Sequence, residues 1–181
     1  MLLSSASGPC LRGRLSSNVR RHKGPPGRMY ESKSHQPAAY RCPFCNIVTG
    51  CEDERLVLLR NDTVVAVLAL HQQVGNRGAL LVFPVRHLEN IYAMPEAVGA
   101  SLFAATKRLA IALKEALNCD GITIRQNNEP AGDQDVWHYH VHVVPRYTHD
   151  NYHHEPRFAM PVTERIEFAE RLRTVLAERA A

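Results

Sequence analysis

Three histidines at alternate positions, His138, His140 and His142, are the residues of this chain best suited to chemistry. They lie in Trp137-His138-Tyr139-His140-Val141-His142-Val143-Val144-Pro145-Arg146, where the intervening residues are aromatic or β-branched. The side-chain period of a strand puts the three imidazoles on one face and Trp137, Tyr139, Val141 and Val143 on the core side. Pro145, lacking a ladder donor, is expected to end the strand. Solvated faces usually mix Lys, Glu and Thr, so this wall reads as reactive or metal-binding. An imidazole with one nitrogen free and the other held as N–H is a good nucleophile towards phosphorus. A neighbouring imidazole can carry positive charge and stabilise phosphate oxygens. Asn127 and Gln134, in the polar loop just upstream, add neutral donors. This set suggests phosphoryl or nucleotidyl transfer, and the rival reading is a metal hydrolase with all three histidines as ligands. Cys42-x-x-Cys45 raises a second question, of metal or redox chemistry.

The elements that must position these residues follow from local patterns. Leu56–Arg60 and Thr63–Leu70 are β-rich runs joined at Asn61-Asp62, a hairpin signal. Residues 72–78 read as loop, and Ala79–Val85 as another apolar strand leading to Arg86-His87. The longest helix is expected over Met94–Asn118, with Pro95 in its first turn. Val98, Leu102, Ala105, Leu109, Leu113 and Leu117 fall at helical spacing along it. Gly121–Gln126 is a strand, Asn127–Gln134 a polar loop, and Thr163 is expected to cap a last helix from Glu164 to about Ala177. The pattern predicts an α+β fold: an antiparallel sheet with one long inserted helix and a C-terminal helix.

Composition narrows the class. The chain has 181 residues, 45% of them hydrophobic, room for one core-bearing domain with a tail to spare. Its longest apolar run, Val64 to Leu70, is far short of a membrane span. The net charge of +4 is concentrated: residues 1–35 hold seven Lys/Arg against Glu31 alone, which leaves the remainder at −2. The folded part therefore lacks the electrostatic footprint of a nucleic-acid-binding domain. Five cysteines, an odd number in a chain of this size, point to a reducing compartment. Residues 1–38 are rich in Ser, Gly, Pro and Arg and are expected to be disordered. They read as a transit peptide, as a basic tail that touches phosphates, or as a stretch upstream of a true start at Met29. The expected location is cytoplasmic, with organellar targeting by this leader as the alternative.

His138-x-His140-x-His142 followed by two apolar residues resembles the signature of the histidine triad (HIT) family. Gln126-Asn127-Asn128, Gly132-Asp133-Gln134, Pro84-x-x-His87 and Cys42-x-x-Cys45 resemble its zinc-containing bacterial branch. The resemblance spans roughly residues 42–147. It implies a HIT domain over 39–150, with a loop and helix at 151–181 packed on the same domain. It implies a nucleotide hydrolase or transferase acting at an α-phosphate, with His140 as the nucleophile and His142 binding the phosphate and helping the leaving group. Gln134 would hold phosphate oxygens and Asn127 would line the same pocket; the plainer alternative for both is loop closure. It further implies a structural zinc held by Cys42, Cys45, His87 and His138, a closed four-ligand set, and a homodimer.

Two departures bear on the nucleoside. Where relatives carry an acidic or amide residue for ribose hydroxyls, this chain reads Leu70-His71-Gln72, which makes His71 the candidate contact. Where Gly-His is usual, it reads Gly78-Ala79. Asp135 stands where many relatives have Ser. Arg157 or the histidines of the 149–157 loop could contact a polyphosphate, against the plainer reading of a solvated loop. The expected activity is hydrolysis of a dinucleoside polyphosphate or nucleoside phosphoramidate through a nucleotidyl-histidine. The alternatives are transfer to an acceptor other than water, and a nucleotide-binding regulatory module with vestigial catalysis.

Overall fold

The computed structural model describes residues 33–179. Of the expected disordered leader over residues 1–38, and with it the transit peptide or start at Met29, residues 1–32 lie outside that range; residues 34–36 are held by specific contacts. The elements run α1 (Pro43–Val48), β1 (Val57–Arg60), β2 (Val64–Leu68), β3 (His71–Gln73), β4 (Leu80–Pro84), α2 (Glu96–Leu117), β5 (Gly121–Gln126), β6 (Val141–Arg146), β7 (Arg157–Ala159) and α3 (Val162–Glu178). Five strands form one sheet in the order β1-β2-β4-β6-β5, every neighbouring pair antiparallel. The fold is the expected α+β architecture, with α2 inserted between strands of the sheet and α3 at its end.

Period-two alternation sorts the sheet into two faces. Val64, Ala66, Leu68, Leu80, Val82, Val141 and Val143 pack against Leu102, Leu109 and Leu113 of α2 and Leu172 of α3. Val65, Val67 and Phe83 point the other way and meet Phe44 of α1. The two long helices α2 and α3 therefore cover one face, and α1 with the Cys42–Cys45 turn lies on the other, which also carries the histidines. The β1–β2 hairpin closes as its residues predict: the Asn61 carboxamide oxygen accepts from the Thr63 and Val64 amides at 2.9 and 2.8 Å. Helix α2 ends on Asn118 in the left-handed region, φ 49°. Among the described residues no helix is long and apolar enough to cross a membrane.

Four expectations are corrected. The histidine strand is shorter than its alternation suggested: β6 starts at Val141, so only His142 is in the ladder. The last β4–β6 pair is Val82↔Val141. Upstream of it the chain turns, His138 N–H donating to Val136 O and Tyr139 N–H to Leu88 O. Pro145 does not end the strand but pairs with Ile122 inside it. Its carbonyl faces Asn76, so its missing donor is on the side where β4 has not yet begun. Gln72 and Gln73, read as loop, form β3 together with His71 and pair with β7; a three-residue polar strand held by a partner over 80 residues away has no local signature. Thr163 is not the cap of α3, which begins one residue earlier behind Pro161, whose fixed φ already suits a helix start.

Two features of the 69–79 connection were invisible to pattern. Gln72 is fully buried; its amide nitrogen donates to Ala69 and Ala79 carbonyls at 2.7 and 3.1 Å, and its oxygen accepts from Gly78 and Ala79 amides at 3.0 and 2.8 Å. Gly78 has φ +112°, and a Cβ there would lie 2.8 Å from Leu117 Cδ1 and 3.1 Å from the Phe168 ring. Only glycine allows both α2 and α3 to close over this turn.

Beyond β6, Asp150 gathers the chain. Its carboxylate accepts from Arg146 Nε and Nη2 (2.8 and 2.5 Å), Asn76 Nδ2 (2.7 Å) and Tyr147 N–H (2.8 Å). The bidentate Arg146 contact, the largest of these influences, holds the Asp150 carboxyl well below the usual carboxylate range. A depressed folded-state pKa stabilises the fold fully above the unfolded value of about 3.9, and that contribution is lost progressively as pH falls from there through the lower folded-state value. Asp150→Asn should therefore cost about 2–3 kcal/mol at pH 7. In urea unfolding series the gap to wild type should shrink as pH drops below about 4; a gap constant from pH 7 to 3 would refute this role.

Candidate active site and metal centre

The metal centre is assembled from three distant pieces of chain. Cys42 precedes α1 and its Sγ accepts from the Cys45 amide at 3.4 Å, so the tight Cys-Pro-Phe-Cys turn presents both sulfurs together. His87 follows the end of β4, and His138 follows the turn that enters β6. Cys42 Sγ lies 3.3 Å from His138 Nδ1, Cys45 Sγ 3.2 Å from His87 Nδ1 and 3.7 Å from His138 Nδ1. The four donor atoms lie within 4.8 Å of one another. Tetrahedral zinc, with bonds of about 2.3 Å to sulfur and 2.0–2.1 Å to nitrogen, sets sulfur and nitrogen donors roughly 3.5 Å apart. The spacing fits.

The electrostatics ask for a cation as well. The hydrogen bond between the thiols holds Cys42 well below an ordinary thiol and pushes Cys45 far above it: two adjacent thiolates are unfavourable unless a positive ion lies between them. Both histidines are oriented by an outer acceptor. His138 Nε2 donates to Pro84 O at 2.9 Å, and His87 Nε2 lies 3.0 Å from Gln36 Oε1. Each ring thereby turns a bare Nδ1 towards the sulfurs.

His140 faces the opposite need. It is 3% exposed, and its Nδ1 lies 2.8 Å from His138 O. A carbonyl can only accept, so Nδ1 carries the proton and Nε2 keeps its lone pair. Burial depresses its pKa and keeps it neutral. Phe44, between the two cysteines of the cluster, stacks on Phe83 and meets the His140 ring edge-on at 5.1 Å. The turn that offers sulfurs on one side thus buttresses the candidate nucleophile on the other.

His142 lies beside it, ring centroids 4.9 Å apart. Burial first and the His140 ring second push its pKa down to about 3, so in the free site it is a neutral hydrogen-bonding group and not the cation its position suggested. Asp135 is exposed, and its charge opposes the shifts at both His140 and His142. Arg125 sits on β5 directly opposite His142.

The remaining candidates are placed as follows. Gln134 is buried; its oxygen accepts from Glu129 N–H at 2.8 Å, and its nitrogen donates to Glu89 O and Val136 O at 2.6 and 3.0 Å. Both its donors are engaged in holding the loop. Asn127 Nδ2 donates to Asp133 O at 2.9 Å. His71 is exposed on β3, paired with Ala159. Ala79 is buried with Ala69, Val144 and Tyr152, so Tyr152 from the C-terminal loop packs where the turn lacks a larger side chain.

The sequence reading passed over Phe44, Gln36 and the segment around it. Ser34 Oγ and His35 N–H both donate to the Glu89 carboxylate at 2.6 Å, and the His35 ring stacks on Trp137 at 5.9 Å. Phe44 was visible inside the Cys-x-x-Cys turn. Residues 34–36 carried no signal, because their contacts are with residues about 50 to 100 positions away.

The fold and these two adjoining centres define a histidine triad protein. The family model for the HIT domain matches residues 51–149. The chain belongs to the HIT family. It is 39% identical over 109 residues to an uncharacterised HIT-like protein of Saccharolobus solfataricus, an alignment covering 60% of this chain and 76% of that one. It is 33% identical over 109 residues to the AP-4-A phosphorylase of Mycobacterium tuberculosis, covering 60% of this chain and 55% of that enzyme. The crystal structure of a zinc-bound histidine triad family protein from Mycobacterium smegmatis superposes with TM-score 0.66 at 31% identity, covering 77% of this chain and 95% of that one. The Cys42, Cys45, His87 and His138 cluster could hold zinc as a resident metal, and the ion would supply charge compensation and rigidity there.

Proposed function

We propose that this protein hydrolyses nucleotides at the α-phosphate through a covalent nucleotidyl-His140. The observation that supports it is the His140 tautomer: Nδ1–H engaged by the His138 carbonyl, Nε2 bare, in a ring kept neutral by burial. In this reading Nε2 forms a bond to the α-phosphorus while the bond from phosphorus to the bridging atom breaks, and the leaving group departs with the electron pair. Water then attacks phosphorus, the N–P bond breaks, and nucleoside monophosphate leaves with the imidazole restored. His142, neutral when the site is free, meets the phosphate as a hydrogen-bond donor. Gln134 and Asn127 hold the loop that borders the pocket, and His71 is the candidate for ribose hydroxyls.

A second reading, transfer of the nucleotidyl group to inorganic phosphate, is favoured by the likeness to a protein described as an AP-4-A phosphorylase. One assay separates them. With diadenosine tetraphosphate in the presence and absence of phosphate, hydrolysis releases AMP in both, whereas phosphorolysis releases ADP in place of AMP and requires phosphate. Release of neither, from this substrate or from adenosine phosphoramidate, would refute both readings.

A homodimer is part of the proposal. Strand β5 is an outer edge of the sheet, and beside it Phe103 of α2 and Ile124 are 71% and 55% exposed. An unpaired edge flanked by an apolar patch is a surface that proteins cover. Sedimentation equilibrium should give twice the chain mass of 20.3 kDa, and Phe103→Glu should shift the species towards the monomer. A monomeric wild type would refute the dimer.

A further inference from the structure

Arg125 is a strong cation on the face of the triad, and among the described residues no carboxylate pairs with it. Directly opposed residues of an antiparallel pair project from the same side of the sheet, and Arg125 opposes His142. Its side chain therefore shares a face with the triad. Two residues earlier on β5, Thr123 accepts from Arg146 Nη1 at 2.9 Å, and the rest of that guanidinium grips Asp150. Arg146 is structural. Arg125 contrasts with it. Its Nε is buried with no hydrogen-bond partner, and among the described residues no carboxylate pairs with its guanidinium. A buried donor without an acceptor is costly, and such groups in native structures usually have a ligand, water or function to account for them.

The charge has a direction of use. The other groups offered to a phosphate here, His140 and His142, are neutral, which suits the α-phosphate at which the bond changes. A guanidinium presents a fork of donors matched to phosphate oxygens. Its field reaches His142, where it and Arg157 of β7 help to keep the imidazole unprotonated. An arginine beside the triad has little to hold when the leaving group is an amine and much to hold when it is a polyphosphate.

We propose that Arg125 is a specificity-determining residue for a polyanionic leaving group, holding the phosphate oxygens beyond the α-phosphate of a nucleoside polyphosphate. The inference rests on the α-phosphate reading above. As the bond from Pα to its bridging oxygen breaks, the electron pair stays on that oxygen and the departing polyphosphate gains negative charge, which Arg125 offsets.

Two measurements test it. The first is binding of inorganic tripolyphosphate by calorimetry at low salt, to wild type, Arg125→Gln and Arg125→Lys. Wild type should bind, the Gln variant at least tenfold more weakly, and the Lys variant in between. Equal affinity in wild type and Arg125→Gln overturns the proposal. The second is the ratio of kcat/KM on diadenosine tetraphosphate to that on adenosine phosphoramidate, whose leaving group carries no phosphate. Arg125→Gln should lower this ratio at least tenfold, and an equal fall on both substrates would make the residue merely structural and overturn the proposal. Should wild type turn over neither substrate, the α-phosphate reading fails, and tripolyphosphate binding still decides the role of Arg125.

Discussion

Replacing His140 by alanine should lower the release of nucleoside monophosphate by at least about 10³-fold, the scale on which removing a nucleophile acts. The size follows from how completely the site depends on one atom. His142 is beside it but its ring is neutral and held on β6, and no cysteine or serine side chain is part of the triad strand to substitute. Under single-turnover conditions an α-phosphate label should stay with wild-type protein and not with His140→Ala. Folding is a fair concern, because the ring is buried against Phe44 and bonded to the His138 carbonyl. Zinc content and melting temperature of the variant therefore belong to the same experiment. Full activity in a folded His140→Ala would remove the covalent mechanism altogether.

Removing zinc should have the second largest effect, on stability and activity together. Structural zinc sites in small peptides contribute on the order of 10 kcal/mol or more, against a net domain stability of about 5–15 kcal/mol. Here a large apolar core exists without the metal, so the domain should loosen at one corner without unfolding throughout. Cys45→Ala, or a strong chelator, should lower the melting temperature by roughly 10 °C or more, given about 2–4 °C per kcal/mol for a domain of this size. Turnover should fall as well, although none of the four ligands is the nucleophile. The reason is geometric: His138 gives its Nδ1 to the metal cluster while its carbonyl fixes His140 Nδ1, and Phe44 is fastened between the two cysteines. Native mass spectrometry should find one zinc per chain. Zinc-free protein with unchanged melting and activity would sink the assignment.

The candidate residues of the site were legible in the sequence because the information is local. Alternate histidines among β-formers, two cysteines three apart, and apolar residues at helical spacing from Val98 to Leu117 each state their own geometry within a few turns of chain. The antiparallel α+β sheet and both long helices follow from such signals. What tertiary structure alone decided is where those residues face. The alternation predicted one wall of three imidazoles. Because β4 ends at Pro84, the ladder stops at Val141, and the turn before it sends His138 to the sulfurs while its carbonyl selects the His140 tautomer. The pairing of β3 with β7, the bracket made by Gln72 and the four donors converging on Asp150 also escaped, since each joins positions with no periodic relation. Arg125 shows the reason most directly. In the sequence it is one polar residue in a strand; only the register sets it opposite His142, with no carboxylate among the described residues to answer its charge.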